Sequence, residues 1–169
     1  MDKTDPTIAE QQRFYESAWK NSARRLSLDE KCRKRFILAA CSAIARSQLR
    51  ILDVGCGRGW LTDALSRYGD VLGVDLSVKE ARRRYPTRRF ETADITDRFP
   101  EGTYDVVVSS EVIEHLPREH QAAHIRKIAD ALRKDGVLIL TTPNKPQLES
   151  VYRHLRDTSN LQPIEHWFD

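Results

Sequence analysis

A glycine stands at every second position from Gly55 to Gly59, directly after the short, mainly apolar segment 51–54. Because glycine has no Cβ, a turn of this composition tolerates positive φ and lets the backbone approach a ligand closely. The residues from Trp60 onward have the apolar spacing of a helix, whose N-terminal N–H groups would point at the same ligand. A strand, a glycine turn and a helix in this order form the first unit of a nucleotide-binding α/β sheet. The sequence therefore predicts a ligand site at this turn.

The spacing of the glycines and the positions of two aspartates indicate which class of ligand the turn would bind. The pattern is G-x-G-x-G, whereas a dinucleotide-binding turn has G-x-G-x-x-G. Asp53 precedes the glycines. Asp75 follows the next apolar segment, roughly 20 residues further on, where a carboxylate usually holds the hydroxyls of a ribose. These features predict a ligand that contains a ribose and is not a dinucleotide.

This combination resembles the class I S-adenosylmethionine-dependent methyltransferases. Segments 90–95, 104–116 and 131–144 look like the third, fourth and fifth segments of that family, in its order and spacing. The resemblance implies an α/β, Rossmann-like fold with a mostly parallel central sheet flanked by helices. It also implies S-adenosyl-L-methionine as the cofactor and S-adenosyl-L-homocysteine as the product.

The resemblance also implies a cofactor role for particular residues. Asp53 would help to hold the methionine ammonium group, and Asp75 would accept from the ribose hydroxyls. Asp94 would accept from the adenine amino group, with Ile95 beside the ring. The alternatives are an exposed strand-end carboxylate at Asp53 and a loop cap at Asp94. The expected cofactor-binding set is Tyr15, Trp19, Asp53, Gly55, Cys56, Gly57, Gly59, Asp75, Leu76, Asp94, Ile95, Ser110 and Glu111.

The aromatic side chains of the predicted helix 7–25 are expected at the mouth of this site. In the family, an N-terminal helix often lies over the cofactor pocket as a lid. Phe14, Tyr15 and Trp19 are therefore candidates to line it. The alternative is a helix docked by its aromatics, since buried aromatic side chains mostly serve packing.

The segment Glu111-x-x-Glu114-His115 follows the predicted fourth strand, near the expected methyl group. His115 is the candidate base for the proton of the acceptor, and Glu111 is the second candidate catalytic residue. The pattern also looks like the metal site of small-RNA 3′-end 2′-O-methyltransferases, with segment 165–168 as a source of a further ligand. The same sequence pattern is common in methyltransferases without a metal, so we assign no metal ligand to these residues.

Two other groups of chemically active residues are interpreted as solvated surface. One is the pair His120 and His124, four apart on a predicted helix and without an evident third metal ligand. The other comprises two basic runs, at positions 31–35 and 82–89.

Composition bounds the class and location of the protein. The 169 residues, with 40% apolar and 31% charged residues, predict one structural domain. Its N-terminal helices would occupy residues 1–47 and its cofactor-binding core residues 48–169. Three cysteines without paired spacing fit a reducing compartment, and neither a membrane span nor a signal peptide is visible. We therefore expect a cytoplasmic protein without a membrane partner.

The length leaves no room for strands six and seven, which complete the sheet in this family. We expect those strands to be missing because the chain is a fragment of a longer protein. Another chain covering the sheet edge, or the last residues folding back on it, are the alternatives.

The predicted function is methyl transfer to an oxygen or nitrogen of a small-molecule acceptor. A metal-dependent RNA ribose methyltransferase and a cofactor-binding fragment without turnover are the alternatives. A net charge of +3 does not point to a nucleic-acid partner, although clustered basic residues leave one open. A homodimer is a candidate assembly.

Overall fold

The computed structural model describes residues 7–22 and 25–144. The helices are α1 (Ile8–Asn21), α2 (Leu28–Ser42), α3 (Trp60–Leu65), α4 (Lys79–Arg84) and α5 (Arg118–Ala131). The strands are β1 (Leu49–Val54), β2 (Gly69–Asp75), β3 (Arg89–Thr92), β4 (Tyr104–Ser110) and β5 (Leu132–Thr141), and a 3₁₀ turn spans Ile113–His115. The predicted segments within 145–169 lie outside the described residues.

The five strands form one sheet in the order β3-β2-β1-β4-β5, and all neighbouring pairs are parallel. This confirms the predicted Rossmann-like α/β fold. The chain runs outward from β1 to β3 and then returns to place β4 on the other side of β1. Open α/β sheets bind ligands where the strand order reverses in this way, at the carboxyl ends of the strands.

Alternate side chains of the central strands build a core on each face of the sheet. Ile51 packs with residues of α2 and α3, whereas Leu52 packs with residues of α5. Asp53 therefore shares the face of Ile51, because side chains alternate along a strand. Both faces of β1 are covered, which explains the nearly continuous apolar run in its sequence.

The first two helices begin at reciprocal side-chain caps. The Thr7 hydroxyl accepts from the backbone N–H of Glu10, and the Glu10 carboxylate accepts in return from Thr7. Ser27 and Glu30 form the same arrangement at the start of α2. Such caps satisfy backbone donors that a helix N-terminus leaves without partners. They fix where α1 and α2 begin, and both helices reach the site described below.

Among the described residues, no helix combines the length and the apolar character that crossing a membrane requires.

Candidate active site at the carboxyl ends of the strands

A cavity of about 460 Å³ opens where β1, β2 and β4 end. Helices α1 and α2, the start of α3, the loop after β3 and the turn after β4 supply the rest of its wall. Most of the residues that the sequence assigns to a cofactor site line this cavity, together with His115. The predicted cofactor-site residues in the cavity wall are Tyr15, Trp19, Asp53, Gly55, Cys56, Gly57, Asp75, Leu76, Asp94, Ile95, Ser110 and Glu111.

Asp75 connects the end of β2 to the glycine turn. Its Oδ2 accepts from the backbone N–H of Gly57 at 2.9 Å, and its Oδ1 accepts from the N–H of Ser77 at 3.0 Å. Burial raises the pKa of this carboxyl to about 6, although the two N–H donors oppose the shift. Asp75 is thus held rigidly at the cavity wall, and placing a charge on it becomes easier once a ligand supplies further donors.

Asp53 is buried rather than exposed at the end of its strand, with only 1% of its surface accessible. One oxygen accepts from the Thr62 hydroxyl of α3 at 2.6 Å. Burial raises the pKa of Asp53 to about 7; the Thr62 hydrogen bond opposes this shift and the nearby Asp75 carboxylate adds to it. The alternative of an exposed carboxylate is therefore wrong.

The glycine turn adopts the left-handed backbone that its composition predicts. Gly57 has φ +52° and Gly59 has φ +84°. Gly59 does not line the cavity, which differs from its assignment to cofactor binding. A Cβ on Gly59 would lie 2.8 Å from Phe90 and 3.0 Å from Ala81, so this glycine instead allows close packing where α3 begins.

Asp94 caps its own loop, as the alternative interpretation predicts, and it also lines the cavity. Its Oδ1 accepts from the backbone N–H of Thr96 at 2.9 Å and from the Thr96 hydroxyl at 2.6 Å. Both bonds use one oxygen, which leaves the other as the acceptor that Asp94 can offer to a ligand. Capping and ligand binding are compatible here because a carboxylate has two oxygens.

Helix α1 places two of its three aromatic side chains at the cavity. Tyr15 and Trp19 stack at 5.8 Å between ring centroids with an interplanar angle of 15°. A Cβ placed on Gly57 would lie 3.2 Å from Cζ2 of Trp19, so the indole covers the glycine turn. Phe14 contacts Tyr15 edge-on at 5.4 Å but is not part of the cavity wall.

The two glutamates after β4 turn toward different partners. Glu111, with φ +58°, presents Oε1 to the Thr141 hydroxyl at 2.9 Å and Oε2 to Arg33 at 3.1 Å. Glu114 is fully buried, and its Oε2 accepts from the Thr142 hydroxyl at 3.3 Å. His115 lies in the cavity wall with Nε2 3.8 Å from Oε1 of Glu114.

Within residues 7–22 and 25–144, no cluster of three or more His, Cys, Asp or Glu side chains is arranged to hold a metal ion. Segment 165–168, the expected source of a further ligand, lies outside the described residues. His124 is buried rather than solvated, because its face of α5 packs against the sheet.

The model of the family described as "Methyltransferase domain" matches residues 21–168 of this chain. The chain belongs to this family.

Relatives with curated descriptions extend the similarity of this methyltransferase domain. It is 33% identical over 142 residues to trans-aconitate 2-methyltransferase of Methylobacterium nodulans, covering 80% of this chain and 54% of the relative. It is 31% identical over 125 residues to the ubiquinone biosynthesis O-methyltransferase of a Bradyrhizobium species, covering 69% and 48% respectively. The chain thus spans about half the length of these relatives.

The fold is also that of a solved methyltransferase. The N-methyltransferase NodS of Bradyrhizobium japonicum, crystallised with S-adenosyl-L-homocysteine, superposes with a TM-score of 0.67. The alignment covers 77% of this chain and 71% of that structure at 19% identity. At this identity the likeness supports the fold alone.

The methyltransferase domain also has cavity residues that the sequence interpretation missed. Arg58, between two glycines, donates from one nitrogen to both carboxylate oxygens of Glu30 at 2.7 and 2.8 Å. Arg33 belongs to a basic run interpreted as solvated surface, yet it faces Glu111. The capping box at Ser27 marks the start of α2, but no local pattern indicates that this end of the helix reaches the cavity. The other missed wall residues are Ile8, Gln11, Ser27, Trp60, Leu61, Ala93, Thr96, Val112 and Leu116.

Proposed function

We propose that this chain binds S-adenosyl-L-methionine and transfers its methyl group to an oxygen or nitrogen of a small-molecule acceptor. Membership of the methyltransferase-domain family supports this proposal. So do the names of the two relatives, one acting on trans-aconitate and one an O-methyltransferase of ubiquinone biosynthesis. Because their names indicate different acceptors, the proposal leaves the acceptor atom open.

One observation carries the proposal. Asp75 is fixed by the Gly57 N–H in the wall of a cavity that Asp53 and Asp94 also line. Three carboxylates around a glycine turn suit a ligand with a cationic group, ribose hydroxyls and an amino-substituted base. The buried Trp19 Nε1, which has no hydrogen-bond partner among the described residues, is a further donor for such a ligand.

The residues present fit the cofactor with a division of roles. Asp75 would accept from the ribose hydroxyls, Asp53 would face the methionine ammonium group, and Asp94 would accept from the adenine amino group. The bound cofactor supplies a methyl group that its sulfonium already activates. The protein then contributes mainly by holding the two reactants together and in line.

His115 is the residue best placed to take a proton from the acceptor. It lies in the cavity wall, and Nε2 of its imidazole is 3.8 Å from Oε1 of the buried Glu114, whose negative charge would stabilise the protonated ring. Glu111, the other candidate, has one oxygen bonded to Thr141 and the other facing Arg33. We therefore assign Glu111 to holding α2 at the cavity and His115 to proton transfer.

The decisive experiment is calorimetric titration with S-adenosyl-L-methionine and S-adenosyl-L-homocysteine. Wild type is expected to bind both, and Asp75→Ala to lose at least ten-fold in affinity for each. Asp70→Ala is the matched control, since Asp70 lies on the same strand but outside this cavity, paired with Arg89 at the surface. A wild-type protein that melts cooperatively yet binds neither compound would refute the proposal.

A further inference from the structure

Arg84, the last residue of α4, is buried although it belongs to a basic run interpreted as solvated surface. Its side chain is 8% exposed, whereas that of the adjacent Arg83 is 68% exposed. Both arginines bind Glu80, at 2.5 Å from Arg84 Nε and 2.7 Å from Arg83. The Glu80 carboxylate thus anchors the Arg84 guanidinium on α4 and leaves its outer nitrogen directed away from the helix.

That outer nitrogen reaches the C-terminal end of α1. Arg84 Nη2 donates to the carbonyl oxygens of Ser22 at 3.0 Å and Trp19 at 3.4 Å, and to the Ser22 hydroxyl at 3.2 Å. The Ser22 hydroxyl itself donates to the Trp19 carbonyl at 2.7 Å. The last carbonyls of a helix lack intrahelical donors and carry its negative dipole end, so a guanidinium there is favourable.

The other residues of α1 lie at the surface or are only partly buried. No residue of α1 is buried, and its ion pair with α4, Glu16–Lys79, has a lysine that is 78% exposed. Exposed ion pairs contribute little to stability. Arg84 therefore supplies a buried polar attachment to the C-terminal end of this helix, and it bonds to the backbone of Trp19 itself.

The same tryptophan covers the glycine turn. Its indole lies against Gly57, and Gly57 donates to Asp75 on the strand that leads into α4. Trp19 therefore accepts a hydrogen bond from Arg84 through its backbone and covers the glycine turn with its indole. Loss of the Arg84 bond would let the end of α1 move and take the indole off the turn.

We propose that Arg84 is a positioning residue that fastens α1 over the cofactor, so that it sets how fast the cofactor leaves. The inference rests on the proposed function, because it assigns the control of that same site. Arg84 does not line the cavity, and it acts through its bonds to the backbone of Trp19 and to Ser22. Lysine cannot replace Arg84. The planar guanidinium has several donors and binds Glu80 and the end of α1 at the same time, which the single ammonium of lysine cannot do.

The test compares Arg84→Met with Arg83→Met by measuring the dissociation rate of S-adenosyl-L-homocysteine in stopped flow. Each variant removes one arginine from Glu80, but only the first detaches α1. Arg84→Met is expected to release the ligand at least ten-fold faster than wild type, and Arg83→Met to remain within two-fold. Amide hydrogen exchange should quicken in α1 and stay unchanged in β1 of Arg84→Met.

Two outcomes of this comparison would overturn the inference. Release from Arg84→Met within two-fold of wild type would do so, and so would equally fast release from Arg83→Met. Failure of wild type to bind would refute the proposed function itself, and is recognised because it occurs before any substitution. If Arg84→Met does not fold, Ser22→Ala removes one of the Arg84 contacts and the bond to Trp19 while leaving α4 intact. Its release is then expected to be about three-fold faster, and an unchanged rate would count against the proposal.

Discussion

The Arg33 guanidinium of α2 lies 3.1 Å from the Glu111 carboxylate at the end of β4. Glu111 has a left-handed backbone, φ +58°, which is costly for a residue with a side chain. Both groups line the cavity, and their side chains are 21% and 22% exposed. The ion pair thus joins a helix to a strained turn across the candidate active site.

We expect this pair to be energetically coupled. A double-mutant cycle with Arg33→Met and Glu111→Gln should give about 1 kcal/mol of coupling in the free energy of unfolding, as partly buried pairs do. Arg33 also contacts Asp29, at 2.9 Å, but that carboxylate is 73% exposed. The cycle of Arg33→Met with Asp29→Asn is the matched control, with expected coupling of about 0.3–0.5 kcal/mol, the range of exposed i,i+4 pairs on a helix. Equal coupling in the two cycles would show that the cavity pair has no special strength.

Local sequence patterns predict the glycine turn and the strands around it, and the family resemblance predicts the parallel Rossmann-like sheet. The alternating glycines between a strand and α3 indicate the turn, because backbone conformation depends directly on residue type. Asp53 and Asp75 follow from the same local rule, since each is placed by the strand that carries it. The turn and the two aspartates could be predicted because residues adjacent in sequence determine them.

The positions of Arg33, Arg84 and His124 could not be predicted in this way. Charge and spacing show that each lies on a helix, but not which neighbour packs against it. Arg33 pairs with Glu111, which follows β4, and Arg84 bonds to the backbone of Trp19 in α1. Both partners are distant in sequence, so only the packed structure reveals that these residues of basic runs are half-buried or buried.

Binding of S-adenosyl-L-methionine should release protons and strengthen with pH. The pKa of Asp53 is raised to about 7 and that of Asp75 to about 6, so both carboxyls are largely protonated at pH 5. A cationic ligand requires the ionised forms, so the protons must leave upon binding. The affinity is therefore expected to fall at least ten-fold between pH 7 and pH 5, since each group contributes up to about ten-fold per pH unit.

Titration calorimetry in buffers of different ionisation enthalpy would count these protons. Asp53→Asn is the control, since it removes the group that titrates near pH 7 and should abolish the upper part of the pH dependence. An affinity for wild type that stays constant from pH 5 to pH 7 would contradict the assignment of these carboxyls to a cationic ligand.

The hydrogen bond between Thr62 and Asp53 should matter for stability as well as for binding. Both side chains are buried, and the donor lies 2.6 Å from the carboxylate. Thr62→Val keeps the side-chain shape but leaves Asp53 without this donor, so the free energy of unfolding should fall by about 1–3 kcal/mol. Thr62→Ser retains the hydroxyl and should recover most of the lost hydrogen-bond energy. Urea unfolding of the three proteins would measure this, and a Val variant more stable than the Ser variant would contradict it.

His124 should make the protein less stable in mild acid. It is 2% exposed on α5, packs edge-on against Phe99, and has no hydrogen-bond partner for either nitrogen among the described residues. Burial lowers the pKa of His124 to about 4, with a smaller contribution from the nearby Lys127. As the pH falls, His124 is therefore protonated near pH 6.5 in the unfolded chain but only near pH 4 in the folded protein.

The stability contributed by neutral His124 is thus complete above about pH 6.5 and is lost as the pH falls toward 4. The shift corresponds to about 3 kcal/mol. His124→Leu should remove this dependence, so that wild type loses about 2–3 kcal/mol more than the variant between pH 7.5 and pH 4.5. His120→Leu, on the exposed surface of the same helix, is the control and should follow wild type. Parallel stability curves for wild type and His124→Leu would show that His124 titrates normally in the folded protein, in conflict with its burial.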